Sequence, residues 1–149
     1  MIKEHKHEAV MIKYTCDYTP EYKSKGASGF DLASARGLWI HPRKTVIVPT
    51  GLVVELPEGL ELQVRARSGF TVKRDIIVKN GIGTIDSDYR GEIGVILYNI
   101  GKRSVYIEKG ERIAQGVIVP VIRGIFEHVK KVKTTERGAK GYGSTGKKG

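Results

Sequence analysis

The chain has 149 residues, a single cysteine and a formal net charge of +10, with 40% hydrophobic and 28% charged residues. That length suits one domain able to bury roughly 70% of its unfolded surface, and the balance is globular rather than disordered. One cysteine excludes an intrachain disulfide framework, no apolar run approaches the ~20 residues of a membrane helix, and the charge favours polyanionic ligands without choosing among nucleotides, nucleic acids and acidic surfaces.

The chain opens on MIKEHKHEAVMIKY, which is charged and has no signal-peptide core. With the unpaired cysteine this predicts a reducing compartment: the cytoplasm, or the nucleus for a viral or eukaryotic source. His5 and His7 could hold a metal or sit on a solvated terminus, and Cys16 has no nearby histidine and reads as a structural thiol. In GASGFDLASA (26–35), Asp31 lies between Phe30 and Leu32, so it needs a buried partner or caps a turn. Trp39 in GLWIH is assigned to core or interface. TVIVP (45–49) and GLVVEL (51–56) are β-branched and separated by Pro49-Thr50-Gly51. In LELQVRAR, Leu60, Leu62, Val64 and Ala66 alternate with Glu61, Gln63, Arg65 and Arg67, which is the period of a strand with one face inward.

RARSGF (65–70) ends that strand with Arg67, Ser68 and Gly69, either a concave donor site for an anion or a polar turn. One helical turn is expected in SGFTVKR. Asn80-Gly81 then gives a hairpin signal, followed by GTIDSDYRG (83–91). There Asp86 is a candidate general base beside an apolar strand, with capping of a turn as the alternative reading for Asp86 and Asp88. IGVILYNI (93–100) is apolar almost throughout and is expected to be buried on both faces. SVYIE (104–108) and GVIVPVI (116–122) are further strands, and in KGERIAQGV (109–117) Arg112 and Gln115 either pair internally or reach a ligand.

The closing ERGAKGYGSTGKKG (136–149) has no residue fit for a core, yet it carries Arg137, Tyr142, Gly143, Ser144 and Thr145. Arginine can fork onto a phosphate, the hydroxyls and amides can hold another, and the tyrosine can stack on a base. A glycine-rich tail that orders on its ligand acts as a lid. The expected organisation is therefore an all-β subunit, a distorted jelly-roll barrel or sandwich over residues 1–135, with a flexible arm over 136–149. There is no P-loop, no HExxH and no zinc-type cysteine spacing.

Taken in order, these five stretches resemble the five motifs of the trimeric dUTP pyrophosphatases (dUTPases). GTIDSDYRG and RGAKGYGSTG are the most specific, and the match runs from residue 26 to 146. The resemblance implies a homotrimer with sites between subunits, closed by the arm of one chain. It also implies hydrolysis of dUTP to dUMP and pyrophosphate with Mg²⁺ on the triphosphate. By motif position, Asp86 would orient the attacking water and contact the 3′-hydroxyl, and Tyr89 would pack under the sugar and exclude a 2′-hydroxyl. Asn80 and the backbone around Gly83 would read uracil. Arg67, Ser68, Gly69 and Gln115 would contact phosphates, and Asp31 would approach hydrated Mg²⁺ through water. Arg137, Gly143, Ser144 and Thr145 would close on the γ-phosphate end, with Tyr142 over the base.

Departures from the family pattern are Tyr142 for the commoner phenylalanine, Lys140, Phe70, Ser28 and Gly116. A dCTP deaminase shares part of the pattern but needs a glutamate on the strand after the third motif, where this chain has VILYN. A regulatory relative that binds dUTP and a protein partner, and a basic nucleic-acid-binding barrel, are the other readings. The aromatics are not interleaved with basic residues on any one strand, so no direct nucleic-acid partner is expected, and no membrane partner either.

Overall fold

Period-two alternation builds the molecule. The computed structural model describes residues 9–142. Its strands are β1 (Lys13–Thr15), β2 (Phe30–Ala33), β3 (Leu38–Ile40), β4 (Thr45–Pro49), β5 (Val53–Glu55) and β6 (Leu60–Arg65), then β7 (Ile76–Val78), β8 (Gly83–Ile85), β9 (Gly94–Asn99), β10 (Val105–Ile107) and β11 (Arg112–Pro120). One short helix, α1 (Ser68–Arg74), stands where a helical turn is expected. The all-β, jelly-roll-like expectation holds. No helix among the described residues is long and apolar enough to cross a membrane.

Two sheets carry the fold, ordered β2-β11-β6-β8 and β4-β9-β7, with two-stranded ribbons β1-β5 and β3-β10 beside them. Every pairing is antiparallel. In β6 the alternation is realised as read: Leu62 and Val64 are buried, while Glu61, Gln63 and Arg65 form a polar row. In that row Gln63 Nε2 donates to Glu61 Oε1 at 2.5 Å, and Arg65 Nε donates to Gln63 Oε1 at 3.0 Å. Leu32, Ile40, Leu62, Leu97, Ile107 and Ile113 meet in one core, each contributing about 1.5–3 kcal/mol by burial.

Three expectations change and one narrows. The segment 93–100 is not buried on both faces: Val95, Leu97 and Asn99 point inward, while Ile96 and Tyr98 stay half-buried beside the exposed Ile47 of β4. An apolar run signals two-sided burial only when something covers the second face, and none of the described residues does. Trp39, read as core or interface, is 56% exposed and paired across the ribbon with Tyr106, which narrows that reading to interface. The Asn80-Gly81 turn joins arms that pair elsewhere, β7 with β9 and β8 with β6, so it crosses between sheets. The last strand ends at Pro120, and residues 121–142 hold no strand or helix, so the extended segment starts well before Glu136. Along it Ile122, Ile125 and Phe126 are almost fully exposed.

Asn99 is the fold's internal polar brace. Fully buried, it donates from Nδ2 to the carbonyls of Ile40 and Arg103, both at 2.8 Å, and its Oδ1 accepts from the Gly101 amide at 2.8 Å. It therefore pins β9 to β3 and to the 100–104 loop. Replacing it with alanine strands three backbone groups, and Asn99→Ala should lower stability by roughly 2–4 kcal/mol, read from the denaturant midpoint.

Candidate active site

Asp31 sits inside β2 rather than at a turn, so the capping alternative fails. Its side chain is only 17% exposed, and both oxygens are taken: Oδ1 by Arg67 Nε at 3.0 Å and Oδ2 by Arg112 Nη1 at 3.2 Å. Arg67 also donates from Nη1 to the Arg112 carbonyl at 3.0 Å. Nearby, burial pushes the Tyr18 phenol up to about 12, and this neutral hydroxyl accepts from the Ala33 amide at 3.3 Å. Cys16 is half-buried, with Sγ 3.7 Å from the Thr50 carbonyl, as a structural thiol should be.

A bulge makes this cluster. Arg112 and Gln115 are three residues apart, so a regular strand would face them oppositely. The register slips between Arg112 and Ala114, leaving Ile113 and Ala114 both buried. That extra residue returns Arg112 to the face of Gln115, which stands opposite Asp31 on one side and Arg65 on the other. Gln115 donates from Nε2 to the Ala66 carbonyl at 2.9 Å, so Gln115 and Arg112 both pair internally. Arg112 completes the site: of the two readings the sequence left for it, internal pairing or reaching a ligand, the structure shows the pairing, with Asp31. The bulge decides this, because it turns Arg112 to the face of Asp31.

Arg67 is the N-cap of α1, with extended backbone and no side-chain cap bond. Ser68 and Gly69 are exposed at its first turn, where helix geometry leaves amides without intrahelical acceptors. The helix ends at Asp75 in the left-handed conformation, φ 53°, with its amide on the Thr71 carbonyl.

A second constellation lies elsewhere. Asp86 follows β8, exposed, on a wall shared by two clefts of about 560 and 620 Å³. Tyr89 and Arg36 line the first cleft with it. The loop is rigid: the Tyr89 amide bonds the Asp86 carbonyl at 3.1 Å, and Arg90 Nη1 reaches the carbonyls of Ser87 and Tyr89 at 2.6 and 3.0 Å. Tyr89 Oη donates to the Glu92 carbonyl at 3.1 Å and the ring lies over Gly91, where a Cβ would stand 2.3 Å from that oxygen. No hydrogen bond or ion pair among the described residues engages the Asp86 carboxylate.

Gly81 is left-handed at φ 73°, as the turn requires, and Asn80 is exposed beside it. Gly83 packs so close to Val64 that a Cβ would meet that residue's own Cβ at 3.1 Å.

The structure thus brings Asp31, Arg67, Arg112 and Gln115 together, and separately Asp86 and Tyr89. None of the first group lines either cleft at Asp86. Arg137 closes its own turn, Nε to the Lys140 carbonyl at 3.0 Å, and Tyr142 is fully exposed. Gly143, Ser144 and Thr145, like His5 and His7, lie outside the described residues.

Comparison with known proteins gives this geometry a family. The family model described as dUTPase matches residues 18–146. The deoxyuridine 5′-triphosphate nucleotidohydrolases of Treponema denticola and a Hydrogenobaculum species are 50% and 51% identical, covering 85% and 87% of this chain and 90% of each relative. The Staphylococcus bacteriophage 80alpha dUTPase, solved with dUPNHPP, superposes with a TM-score of 0.86 at 28% identity, covering 93% of this chain and 99% of that one. A mutant dUTPase of S. aureus phage phi11, which coordinates a structural Mg(II) ion, shares the fold with a TM-score of 0.76 at 22% identity, covering 82% of this chain and 98% of that one. With the match running through every one of the clusters described above, the chain belongs to the dUTPase family.

Proposed function

We propose that the chain hydrolyses dUTP to dUMP and pyrophosphate, in the cytoplasm. One contrast between two carboxylates carries the reading: Asp31 is held by two arginines, whereas Asp86 is exposed and free among the described residues. An acid locked in ion pairs positions its partners, and an unpaired acid at a cleft wall can take a proton. In this reading Asp86 orients a water toward the α-phosphorus. The water oxygen bonds phosphorus as the bond to the bridging oxygen breaks, its proton passes to Asp86, and pyrophosphate leaves. Much of the barrier is positional, because the phosphorus is shielded by negative oxygens.

Arg67, the first-turn amides of Ser68 and Gly69, and Gln115 would carry the phosphate charge. Asn80 and the backbone near Gly83 would read the uracil edge, with Tyr89, anchored through its hydroxyl, packed under the sugar. Arg137, Gly143, Ser144 and Thr145 would close on the terminal phosphate, and Tyr142 would cover the base.

Magnesium fits this arrangement as a substrate-borne ion. Among the described residues no group of three or more potential ligands converges. Each Asp31 oxygen already holds one guanidinium but keeps a further lone pair that can accept a water. Asp31 would therefore hold hydrated Mg²⁺ from outside its coordination sphere, the usual habit of this cation at phosphates. When bound, Mg²⁺ supplies charge neutralisation on the triphosphate.

A homotrimer accounts for the surfaces left open. Ile47 is 64% exposed on the outer face of β4-β9-β7, and Phe126 is 98% exposed on the terminal segment. Such apolar area calls for a second copy. The Arg67 and Asp86 constellations, apart in one chain, would face each other across a subunit boundary, with the arm of a further copy closing over them.

The first test is incubation with each common dNTP and with UTP in the presence of Mg²⁺, quantifying monophosphate and pyrophosphate. Release from dUTP alone is expected; turnover of UTP or dTTP at a comparable rate would overturn the specificity. Asp86→Asn should cut kcat by about 10²–10⁴ while dUTP affinity stays within a few-fold, by single-turnover assay and calorimetry. Removing residues 137–149 should lower activity by about tenfold or more and leave the thermal midpoint unchanged, since the β fold ends at Pro120. Asp31→Asn should raise KM for dUTP about tenfold and move the Mg²⁺ titration to higher concentration, whereas Arg112→Gln should raise KM similarly without moving that titration. A magnesium shift in Asp31→Asn with no KM change in Arg112→Gln would assign Asp31 to the ion alone.

A further inference from the structure

The β3-β10 ribbon lies outside the constellations used above. Its inward residues, Ile40 and Ile107, are fully buried, and its outward pair is Trp39 and Tyr106, directly opposite in register. The two rings sit 5.1 Å apart at 53° and are 56% and 42% exposed. Tyr106 is held flat against the chain: a Cβ on Gly37 would fall 2.1 Å from its hydroxyl oxygen. Arg74 fixes the ribbon from below, bonding the Tyr106 carbonyl and pairing with Glu111 Oε1 at 2.6 Å.

A cleft of about 780 Å³ runs from this aromatic pair to the end of α1. Lys73, Arg74, Lys102 and Arg103 line it, with Asp75 the one acid among its lining residues. Among the described residues no ion pair engages Lys73, Lys102 or Arg103. Arg43 and Lys44 join the same end, since the Arg43 amide bonds the Asn99 carbonyl at 3.0 Å and the Asn99 amide bonds the Lys44 carbonyl at 3.2 Å. Lysine and arginine around two exposed aromatic faces make a surface for a ligand that carries both phosphates and rings.

We propose that this cleft binds single-stranded nucleic acid, with a base stacked on Trp39 and Tyr106 and phosphates on Lys102, Arg103 and Lys73. Stacking with backbone charge is how sequence-tolerant single-strand sites work. Phosphates follow the cations of the rim, which outnumber the single acid, Asp75, among the lining residues. A second copy seated on this cleft would have to bury Lys73, Lys102 and Arg103, which no ion pair among the described residues engages, so it is a poor occupant. Duplex would reach the cations but has no free base face for the aromatic pair. No single strand of the sequence interleaves aromatic and basic residues; the fold does so by pairing 38–40 with 105–107 and bringing the 99–104 loop alongside.

Trp39 is the only tryptophan, so its emission reports this site alone. Full-length protein is titrated with a single-stranded oligo-dA, a duplex of the same length, and heparin as a polyanion without bases. Saturable quenching by oligo-dA is expected, weaker binding by duplex, and none of the quenching with heparin. The affinity should fall roughly twenty-fold between about 50 and 200 mM salt, as three phosphate contacts on a single strand imply. By anisotropy of labelled oligo-dA, Trp39→Ala should bind about tenfold more weakly with dUTP turnover unchanged, and the double variant Lys102→Glu, Arg103→Glu should lose binding likewise. The proposal fails if acrylamide cannot reach Trp39 in the free protein, or if oligo-dA leaves its emission unchanged at low salt. It also fails if heparin binds as tightly as oligo-dA while Trp39→Ala weakens neither.

Discussion

A carboxylate drawn out of water between two guanidiniums sets the geometry from which the phosphate-facing half of the site follows. Withdrawing the Asp31 charge into a sheet costs several kcal/mol unless it is matched, and Arg67, whose Nη1 goes to the Arg112 carbonyl, reaches only Oδ1. Two arginines satisfy both oxygens, and because they repel each other the acid between them fixes the separation of both. Arg67 is thereby held at the junction where β6 ends and α1 begins, so the exposed amides of Ser68 and Gly69 are oriented by the same ion pair. The second bond of Arg67, to the Arg112 carbonyl, ties the cluster to β11 through the backbone as well.

That cluster depends in turn on tolerating an irregular strand beside close-packed glycines. The bulge in β11 costs a regular ladder bond and gains a cation on the polar face. Gly29 lies beside the Gln115 side chain, where a Cβ would stand 2.6 Å from Oε1, so its bareness leaves room for the amide whose Nε2 reaches the Ala66 carbonyl at the end of β6. At Gly116 the Phe30 ring fills the space a larger residue would need, with a Cβ 2.6 Å from Cζ. The departure from the commoner apolar residue at 116 therefore has a steric partner: the volume comes from the facing strand.

Much of the fold was legible because its signals are local. Alternation in 60–65, β-branched runs bounded by glycine and proline, and a helix start after Arg67 all depend on neighbours in sequence, and all appear where they were expected. What the sequence could not carry was anything set by the covering of a surface or by register. IGVILYNI reads as buried on both faces because its outward side chains are apolar, and apolar composition does not say whether the cover is the same chain. For the same reason the sequence left Trp39 between core and interface, and its exposure removes only the first. Asn80-Gly81 signals a turn correctly, but which strands its arms then pair with is a tertiary matter. Arg112 needed the bulge, and a one-residue register slip leaves no mark in RIAQG.

The separation of Asp86 from the arginine clamp has a chemical consequence. A carboxylate beside an unscreened guanidinium forms an ion pair, and a paired carboxylate accepts a water's proton poorly. Within one chain the clamp already holds its own acid, Asp31, and Asp86 stands apart, so neither neutralises the other. On the trimeric reading the two meet only across a boundary into which the phosphates of the substrate insert. The phosphates then take the arginine charge, and the base keeps its lone pair for water. On that reading, dividing acid and cation between copies would keep both active in a small β subunit and would make assembly a condition of catalysis. The apolar outer sheet and terminal segment fit the same proposal: their exposure in one chain would supply the driving force for bringing the two halves of the site together.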